Sequence, residues 1–265
     1  MTKLQQDWIA GFQLQHRHEA AYAAYLTENL RAAQIEVDVL LLDLIAGPCR
    51  SMLDLGANIG FVALSAMMRG FDRILCFEPE PTLFARLSAL TSNHLTALPF
   101  AVGASAGIVD FYVSQTHNQG HTVDAATIAR FRPIFGKDMT RIHVPMVTLD
   151  ETITAPFDYW KIDVEGHEVE VLLGARETLR RFAPRLISVE IYEQDRLHDI
   201  SLLLPSYHAF QVFVMQDAPR LQVRPVKTAE IQTLDGAAIH APTFLFVQDG
   251  FAPIAALLDM VDTGT

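Results

Sequence analysis

Asp54-Leu55-Gly56-Ala57-Asn58-Ile59-Gly60 is the stretch that decides the fold, because it joins an apolar run to a helical one. The run that leads into it, residues 51–55, predicts a short buried strand, and residues 61–69 have a helical pattern. Glycine at 56 and 60 lets the backbone turn sharply and lets a ligand approach closely. The helix that starts near Gly60 directs its free N–H groups and the positive end of its dipole at such a ligand.

Strand-like and helical runs alternate outward from this turn. Further strands are predicted at residues 73–77, 97–102, 157–162, 186–191, 209–215 and 243–247, and further helices at residues 14–46, 81–93 and 168–182. Apolar strands separated by helices indicate βαβ units and a mostly parallel sheet. The last two strands have no clear crossover helix between them, which favours an antiparallel pair. The predicted fold class is α/β, a doubly wound, mostly parallel seven-stranded sheet with an antiparallel C-terminal strand pair.

The composition indicates one domain with an N-terminal addition. The chain has 265 residues, of which 50% are hydrophobic and 19% charged, as in a protein with a sizeable core. We predict an N-terminal helical extension over residues 1–46 and a domain over residues 47–265. The extension is apolar on more than one side, which favours either a homodimer contact or a cover over the acceptor pocket.

Charge and cysteine content restrict the partners and the compartment. The formal net charge of −11 disfavours nucleic acid and anionic membrane surfaces as partners. The two cysteines imply no disulfide framework and indicate reduced thiols in a cytoplasmic protein. We also expect no signal peptide and no membrane span.

An insertion interrupts the alternation of strands and helices. Residues 108–113 and 142–147 are strand-like, and Pro145 in the second segment predicts a sheet edge. Residues 114–141 between them are predicted to form a lid-like insertion, because a long insertion beside a ligand crevice usually covers substrate or contacts a partner. Four basic residues near its end either grip an anionic acceptor or form a solvated helix face: Arg130, Arg132, Lys137 and Arg141.

Strand ends are the candidate binding positions, since ligands of open parallel sheets lie beyond the C-terminal ends of the strands. Asp54, Glu78, Val102 and Asp163 end the predicted strands. Glu78 follows the glycine turn at the distance where an acid can accept both ribose hydroxyls of an adenosyl group; a solvated strand-capping acid is the alternative. Asn58 replaces the second glycine of a dinucleotide fingerprint, so the turn alone is a weak signal.

The fourth strand carries the most informative motif, Lys161-Ile162-Asp163-Val164-Glu165-Gly166-His167-Glu168. Lys161, Asp163 and Glu165 would share one face if the chain stayed extended, because side chains alternate along a strand. Charges at a sheet centre are costly unless they are paired or used. The motif indicates either a functional site or a Lys–Asp ion pair followed by a capping carboxylate.

Together these motifs resemble the FkbM family of S-adenosylmethionine (SAM)-dependent methyltransferases. The matching motifs are Asp54-Leu-Gly-Ala-Asn-Ile-Gly60, Phe77-Glu78-Pro79, Ala101-Val102-Gly103, Val147-Thr148-Leu149-Asp150, Lys161-Ile-Asp-Val-Glu-Gly-His-Glu168 and Val189-Glu190-Ile191. The resemblance covers roughly residues 51–215, and its most specific part is the Lys161 motif. It implies the class I methyltransferase fold.

The resemblance also implies a role for each matching residue. The methionine part of SAM would contact Gly56, Asn58 and Gly60, supported by Asp54; the ribose would contact Glu78 and Pro79; the adenine would lie beside Ala101 and Val102; and Asp163 would face the reactive centre. An Asp or Asn that many class I enzymes use to bind the adenine amino group is missing after the third strand. Family members mostly methylate hydroxyl groups of sugars, polyketides and other secondary metabolites, so we expect O-methylation of a small-molecule or glycan acceptor in a biosynthetic role.

Proton transfer from a hydroxyl acceptor needs a base, and the candidates are Asp163, Glu165 and His167. Predicted acceptor contacts are Lys161, Glu190 and His121. No metal site is predicted. The alternative is a divalent cation such as Mg²⁺ held by Asp163, Glu190 and a lid residue. The insertion histidines His117, His121 and His143 have no zinc-site spacing.

Two other functions are compatible with such a sheet. One is a nucleotide-dependent oxidoreductase, against which the missing G-x-G-x-x-G argues, and the other is a non-catalytic scaffold that binds SAM without turnover.

Overall fold

Strands and helices alternate along the chain in this computed structural model, which describes residues 37–114, 121–124, 127–128, 139–214, 221–226, 231 and 243–251. In chain order the elements are α1 (Val37–Ile45), β1 (Ser51–Leu55), α2 (Phe61–Met68), β2 (Arg73–Phe77), α3 (Pro81–Ser88), β3 (Leu95–Leu98), β4 (Ala101–Val102), β5 (Gly107–Ser114), β6 (Met139–Val147), α4 (Leu149–Thr152), β7 (Tyr159–Ile162), α5 (Glu168–Leu173), α6 (Arg176–Phe182), β8 (Leu186–Glu190), α7 (Gln194–Leu203), β9 (Tyr207–Val214), β10 (Leu221–Pro225) and β11 (Thr243–Gln248).

The main sheet has eight strands in the order β10-β9-β11-β8-β7-β1-β2-β3. Strands β3, β2, β1, β7 and β8 are parallel, whereas β11 runs antiparallel to both β8 and β9. The α/β fold and the antiparallel C-terminal strands are therefore as predicted. The predicted count of seven is one too low, because β10 adds an antiparallel strand beyond β9.

The strand order places a crevice at β1. From β1 the chain moves outward through β2 and β3, and it later returns to β7 and β8 on the other side of β1. Such a reversal leaves the carboxyl ends of β1 and β7 uncovered by a crossover helix, and ligands of open α/β sheets bind there.

A second, three-stranded sheet with the order β4-β6-β5 corrects two predictions. The predicted strand 97–102 is divided: β3 stays beside β2, while Ala101–Val102 pair with β6. Pro99 lies between the two parts and has no N–H to donate to a ladder. Val102 therefore does not end a strand of the main sheet.

Pro145 lies in the central strand β6, so the prediction that it marks a sheet edge is wrong for the strand as a whole. It is paired with Ile108 of β5. On the other side β4 pairs only with Met146 and Val147. At Pro145 itself the described strand therefore has a partner on one side, which is why a residue without an N–H is tolerated.

The predicted helix 168–182 is two helices, α5 and α6, separated at Gly174. A Cβ on Gly174 would lie 2.0 Å from the carbonyl oxygen of Gly103, so the two backbones are in contact here. Glycine allows this approach and weakens the helix at the same point.

Two apolar layers cover the faces of the main sheet. Side chains alternate between them, so Met52 and Tyr159 pack on the face that α1 and α2 cover, while Leu53 and Trp160 pack on the opposite face. Three side chains of α1 are 0–2% exposed in the first layer: Leu41, Leu42 and Ile45. Helix α1 therefore lies over the sheet face that carries Asp54 and Lys161.

Parts of two predicted segments lie outside the described residues. Of the predicted helix 14–46 the structure describes α1, which ends before Gly47 as predicted. Most of the insertion, including His117, Arg130, Arg132 and Lys137, is also outside. No described helix is long and apolar enough to cross a membrane.

Candidate active site

The glycine turn after β1 is held between the ends of β2 and β7. The N–H groups of Gly56 and Ala57 donate to the carbonyl oxygen of Phe77 at 3.1 and 3.0 Å. Gly56 has φ +80°, and a Cβ there would lie 1.8 Å from the carbonyl oxygen of Asp163. Asn58 is also left-handed, at φ 52°. Only glycine fits at position 56, and the turn packs closely against β7 with Gly56 and Asn58 partly accessible.

Glu78 is buried at the end of β2 and faces the same turn. Its two carboxylate oxygens accept hydrogen bonds from the N–H of Asn58, at 2.9 Å, and of Glu80, at 2.8 Å. Burial raises the pKa of Glu78 to about 8, although both N–H groups act to lower it. A carboxylate has about four acceptor positions, so Glu78 retains capacity for two hydroxyl donors, and such donors favour its charged form.

We expect Glu78→Gln to lower the affinity for SAM by about 10- to 100-fold, because hydrogen bonds to a charged group contribute roughly 1.5–3 kcal/mol. Isothermal titration calorimetry measures this effect. Glu80→Gln is the matched control: Glu80 is also buried, but its side chain accepts from the N–H of Leu83 and caps α3. Equal SAM affinity in Glu78→Gln and wild type would contradict the assignment.

Lys161 lies at the centre of a lysine cluster with Asp38, Asp54 and Asp163. The register places Asp54 beside Lys161 on the adjacent strand. The Nζ atom is 2.8 Å from Oδ2 of Asp163 and 3.9 Å from a carboxylate oxygen of each of the other two. Burial opposes the charge of Lys161, but the three carboxylates outweigh it and hold its pKa well above the ordinary value. The predicted Lys–Asp ion pair is present within this larger cluster.

Asp54 is a buried carboxylate whose negative charge is only partly balanced by neighbouring groups. Its side chain has no exposed surface, and no described residue donates a hydrogen bond to either oxygen. Burial raises its pKa to about 6, and Lys161 acts in the opposite direction. Asp54 therefore lies behind the glycine turn with no surface open to the crevice.

The chain leaves the extended conformation soon after β7, which corrects the prediction of a shared charged face. The N–H of Asp163 still donates to the carbonyl oxygen of Leu55, at 3.0 Å. Glu165 and Gly166 are then left-handed, at φ 53° and 96°. Lys161 and Asp163 are therefore in contact as predicted, whereas Glu165 belongs to a turn beyond the strand.

Asp163, Glu165 and Glu190 form an acidic patch at the ends of β7 and β8. Burial raises the pKa of Glu190 well above its ordinary value, and the charges of Asp163 and Glu165 raise it further. The hydroxyl of Tyr192 donates to Oε2 of Glu190 at 3.3 Å. Burial and these neighbouring like charges both favour the protonated form of Glu190.

His167 faces the second sheet. Its Nδ1 is 3.6 Å from Oε2 of Glu170, and a Cβ on Gly103 would lie 2.9 Å from its Nε2. Burial lowers the pKa of His167, against the effect of Glu170. It lines an open pocket of about 750 Å³ together with Met146 and His143. The described contacts of this candidate base thus lie on the second sheet and on α5.

Among the described residues no group of three or more His, Cys, Asp or Glu side chains could hold a metal ion. A Mg²⁺ site at Asp163 and Glu190 is therefore not supported. His143 instead lies 3.1 Å from Asp110, as does Arg141.

The remaining predicted site residues are placed as follows. Ala101 and Val102 are buried in β4, where they pair with β6. Pro79 is half-buried beside Glu78. His121 packs edge-to-face against Phe111, with ring centroids 6.4 Å apart.

A docking network that the sequence did not reveal connects the insertion to the turn after β7. Thr122 Oγ1 donates to the carbonyl oxygen of Glu165 at 2.6 Å. Arg196 of α7 donates to Oδ2 of Asp124 at 3.0 Å. Its guanidinium is also within 4.0 Å of three further acids: Glu168, Glu170 and Glu193. No motif marked Arg196, because all of its acidic partners except Glu193 are distant in sequence.

We expect Arg196→Met to loosen this docking, because the substitution leaves Asp124 and Glu168 without their shared cation. Hydrogen exchange at the amides of residues 121–124 should accelerate by about tenfold, as expected for the loss of roughly 1.4 kcal/mol of local stability. Arg180→Met is the control, since Arg180 forms an exposed pair with Glu177. Unchanged exchange in Arg196→Met would show that the insertion is held by other contacts.

Comparison with known proteins identifies the family. The family described as methyltransferase FkbM domain matches residues 54–211. Hexuronic acid methyltransferase AglP of Haloferax volcanii is 25% identical over 201 residues, which cover 74% of this chain and 77% of the relative.

Solved structures with a similar fold include a methyltransferase FkbM from Methylobacillus flagellatus KT, at 18% identity and a TM-score of 0.47. The alignment covers 75% of this chain but only 43% of that one. Magnesium protoporphyrin IX methyltransferase from Synechocystis PCC 6803 with bound SAM is 9% identical, with a TM-score of 0.43 and 84% coverage of both chains. Since the family match extends over more than half of the sequence, this chain belongs to the FkbM methyltransferase family.

Proposed function

We propose that this methyltransferase uses SAM to methylate a hydroxyl group of a sugar or a related small molecule. The observation that carries the proposal is the glycine turn at Gly56, which packs against the carbonyl of Asp163 and donates the N–H of Asn58 to the buried carboxylate of Glu78. An oxidoreductase is not favoured, because the family match is to a methyltransferase.

The residues of the crevice fit the parts of SAM. Glu78 has acceptor capacity for the ribose hydroxyls. In this proposal the turn from Gly56 through Asn58 to Gly60 lies along the methionine part, with the buried carboxylate of Asp54 nearby. The backbone of Ala101 and Val102 borders the adenine in this proposal. When bound, SAM supplies a methyl group activated on a cationic sulfur, so the protein contributes position and electrostatics.

Asp163 is our proposed base. It lies at the crevice end of β7, its side chain is 27% exposed, and Lys161 fixes one of its oxygens at 2.8 Å. Asp163 would take up the proton that the acceptor hydroxyl loses, while bound SAM would supply the methyl group. Glu165 and Glu190, which belong to the same acidic patch, orient the acceptor hydroxyls as hydrogen-bond acceptors.

The acidic patch restricts how an acceptor is oriented. The relative named a hexuronic acid methyltransferase indicates a sugar acid as one acceptor class. A sugar carboxylate would be repelled by the charges of Asp163 and Glu165, so we infer that the hydroxyl-bearing edge of the sugar faces the patch and any carboxylate points away. Lys161 and His121 complete the proposed acceptor contacts.

The domain division is also a proposal. Residues 47–265 carry the methyltransferase domain with its lid-like insertion, and residues 1–46 form an extension. Its described part, α1, contributes Asp38 to the lysine cluster. The proposed partner is a small-molecule or glycan acceptor.

The proposal is tested by transfer of labelled methyl from SAM to paired acceptors that differ only at carbon 6, a hexuronic acid glycoside and the matching neutral hexose glycoside. Methyl ether formation on a ring hydroxyl of either acceptor is the expected result, and the ratio of the two rates measures the preference for a carboxylate. Methylation only of amine acceptors, or methyl ester formation at the carboxylate, would overturn O-methylation of a hydroxyl.

A further inference from the structure

Asp38 is a buried acid of the site that lies outside the residues matched by the family. It belongs to the first turn of α1 and precedes the matched residues 54–211. Its side chain is 9% exposed, and its Oδ2 is 3.9 Å from Nζ of Lys161. Apolar packing of α1 on the sheet fixes this position.

The lysine cluster has more negative than positive charge. Lys161 donates its hydrogen bond to Asp163 at 2.8 Å, and its distances to Asp38 and Asp54 are both 3.9 Å. Burial raises the pKa of Asp38 to about 6 and that of Asp54 to about 6 as well. The geometry therefore places one ammonium among three carboxylates.

A buried excess of negative charge stabilises a cation nearby, and the effect is large where water is excluded. SAM has a cationic sulfur, whereas S-adenosylhomocysteine, which remains after methyl transfer, has a neutral one. The amino, carboxyl, ribose and adenine groups are common to both molecules. Uncompensated charge behind the glycine turn acts on the shared groups of both molecules alike, so it changes the affinity for SAM more than the affinity for S-adenosylhomocysteine.

We propose that Asp38 is a positioning residue that acts through the charge of the lysine cluster, so that the site prefers SAM to S-adenosylhomocysteine. This inference rests on the proposed use of SAM. It gives the N-terminal extension a role in exchanging product for cofactor, since loss of the sulfonium charge removes the interaction that favoured binding.

The test is the ratio of the dissociation constants of S-adenosylhomocysteine and SAM, measured by calorimetry for wild type and Asp38→Asn. The ratio should fall about five- to tenfold in the variant, through weaker SAM binding at nearly constant S-adenosylhomocysteine binding. Asp38→Glu keeps the charge and should keep most of the ratio. Asp43→Asn, on the same helix but half exposed and paired with Arg69, should leave both constants unchanged.

A second measurement uses wild type alone and does not depend on the folding of a variant. Asp38 faces Lys161 and Tyr159 of β7, Asp54 of β1 and Asp163, and its charge also reaches Glu190 of β8. Acids lose their charge below their pKa, so the ratio should fall as the pH drops below about 6. The groups common to both ligands cancel in the ratio.

The outcomes distinguish a failure of the role proposed for Asp38 from a failure of the proposed use of SAM. Either of two results overturns the role of Asp38 while SAM binding stands. One is the same ratio in Asp38→Asn and wild type. The other is a constant ratio between about pH 7.5 and about pH 5.5, a range of about one pH unit on either side of an acid's pKa. If wild type binds neither ligand, the proposed use of SAM fails and this inference fails with it.

Discussion

Replacing Gly56 with alanine should lower the free energy of unfolding by about 4 kcal/mol or more and abolish SAM binding, an effect at the upper end for single substitutions. The new Cβ would lie 1.8 Å from the carbonyl oxygen of Asp163, so β1 and β7 would have to separate at the crevice. The left-handed φ of +80° adds a further penalty for alanine. Chemical denaturation followed by circular dichroism measures the change.

The variant Gly250→Ala separates the steric cause of the destabilisation from the cost of a left-handed backbone. Gly250 has φ +82°, and nothing lies within 4 Å of its ideal Cβ. Its substitution therefore reports the backbone penalty alone, about 1–2 kcal/mol. A similar loss in both variants would contradict the close approach of Gly56 to β7.

Asp163→Asn should reduce kcat by at least about 100-fold, the lower bound for loss of a general base. The amide cannot take up the hydroxyl proton, and Lys161 loses its hydrogen-bonded carboxylate. Steady-state kinetics with the best acceptor from the paired assay measures kcat and KM separately.

Two further variants locate the base within the acidic patch. Glu165→Gln should have a smaller effect on kcat than Asp163→Asn, because Glu165 orients the acceptor in our account. Asp195→Asn, on the exposed side of α7, should leave kcat unchanged. A larger loss in Glu165→Gln than in Asp163→Asn would transfer the role of the base to Glu165.

The parallel part of the fold was predictable because its signals are local. Strands β1, β2 and β7 are short apolar runs, and each is followed by a turn that its own residues define, such as the turn from Gly56 to Gly60. The position of Glu78 beside that turn followed from strand order alone. Helix α1 ends at Ile45, just before the Gly-Pro pair at residues 47–48 that predicts an end.

The second sheet was not predictable from the same local signals. Residues 97–102 are one apolar run interrupted by a proline, and only the pairing with β6 shows that Ala101 and Val102 belong elsewhere. Strand β10 alternates apolar and polar residues, which is a usable signal of a half-buried strand that was overlooked.

The electrostatic part of the site depends on contacts between distant segments. Lys161 and Asp163 were singled out because they lie two residues apart in a strand. Asp38 reaches Lys161 from a different element, and Arg196 reaches Asp124 across 72 residues. Neither pair has a sequence spacing that a local pattern could reveal, so only the packed structure brings them together.

Titration of the purified protein with SAM, and with NAD in parallel, tests the central claim most directly. The account predicts saturable binding of SAM at one site per chain and no binding of NAD, because the turn lacks the second glycine of a dinucleotide site and Glu78 faces it with open acceptor capacity. Binding of NAD without binding of SAM would contradict the proposed function. The similarity to the FkbM family would then extend to the fold alone.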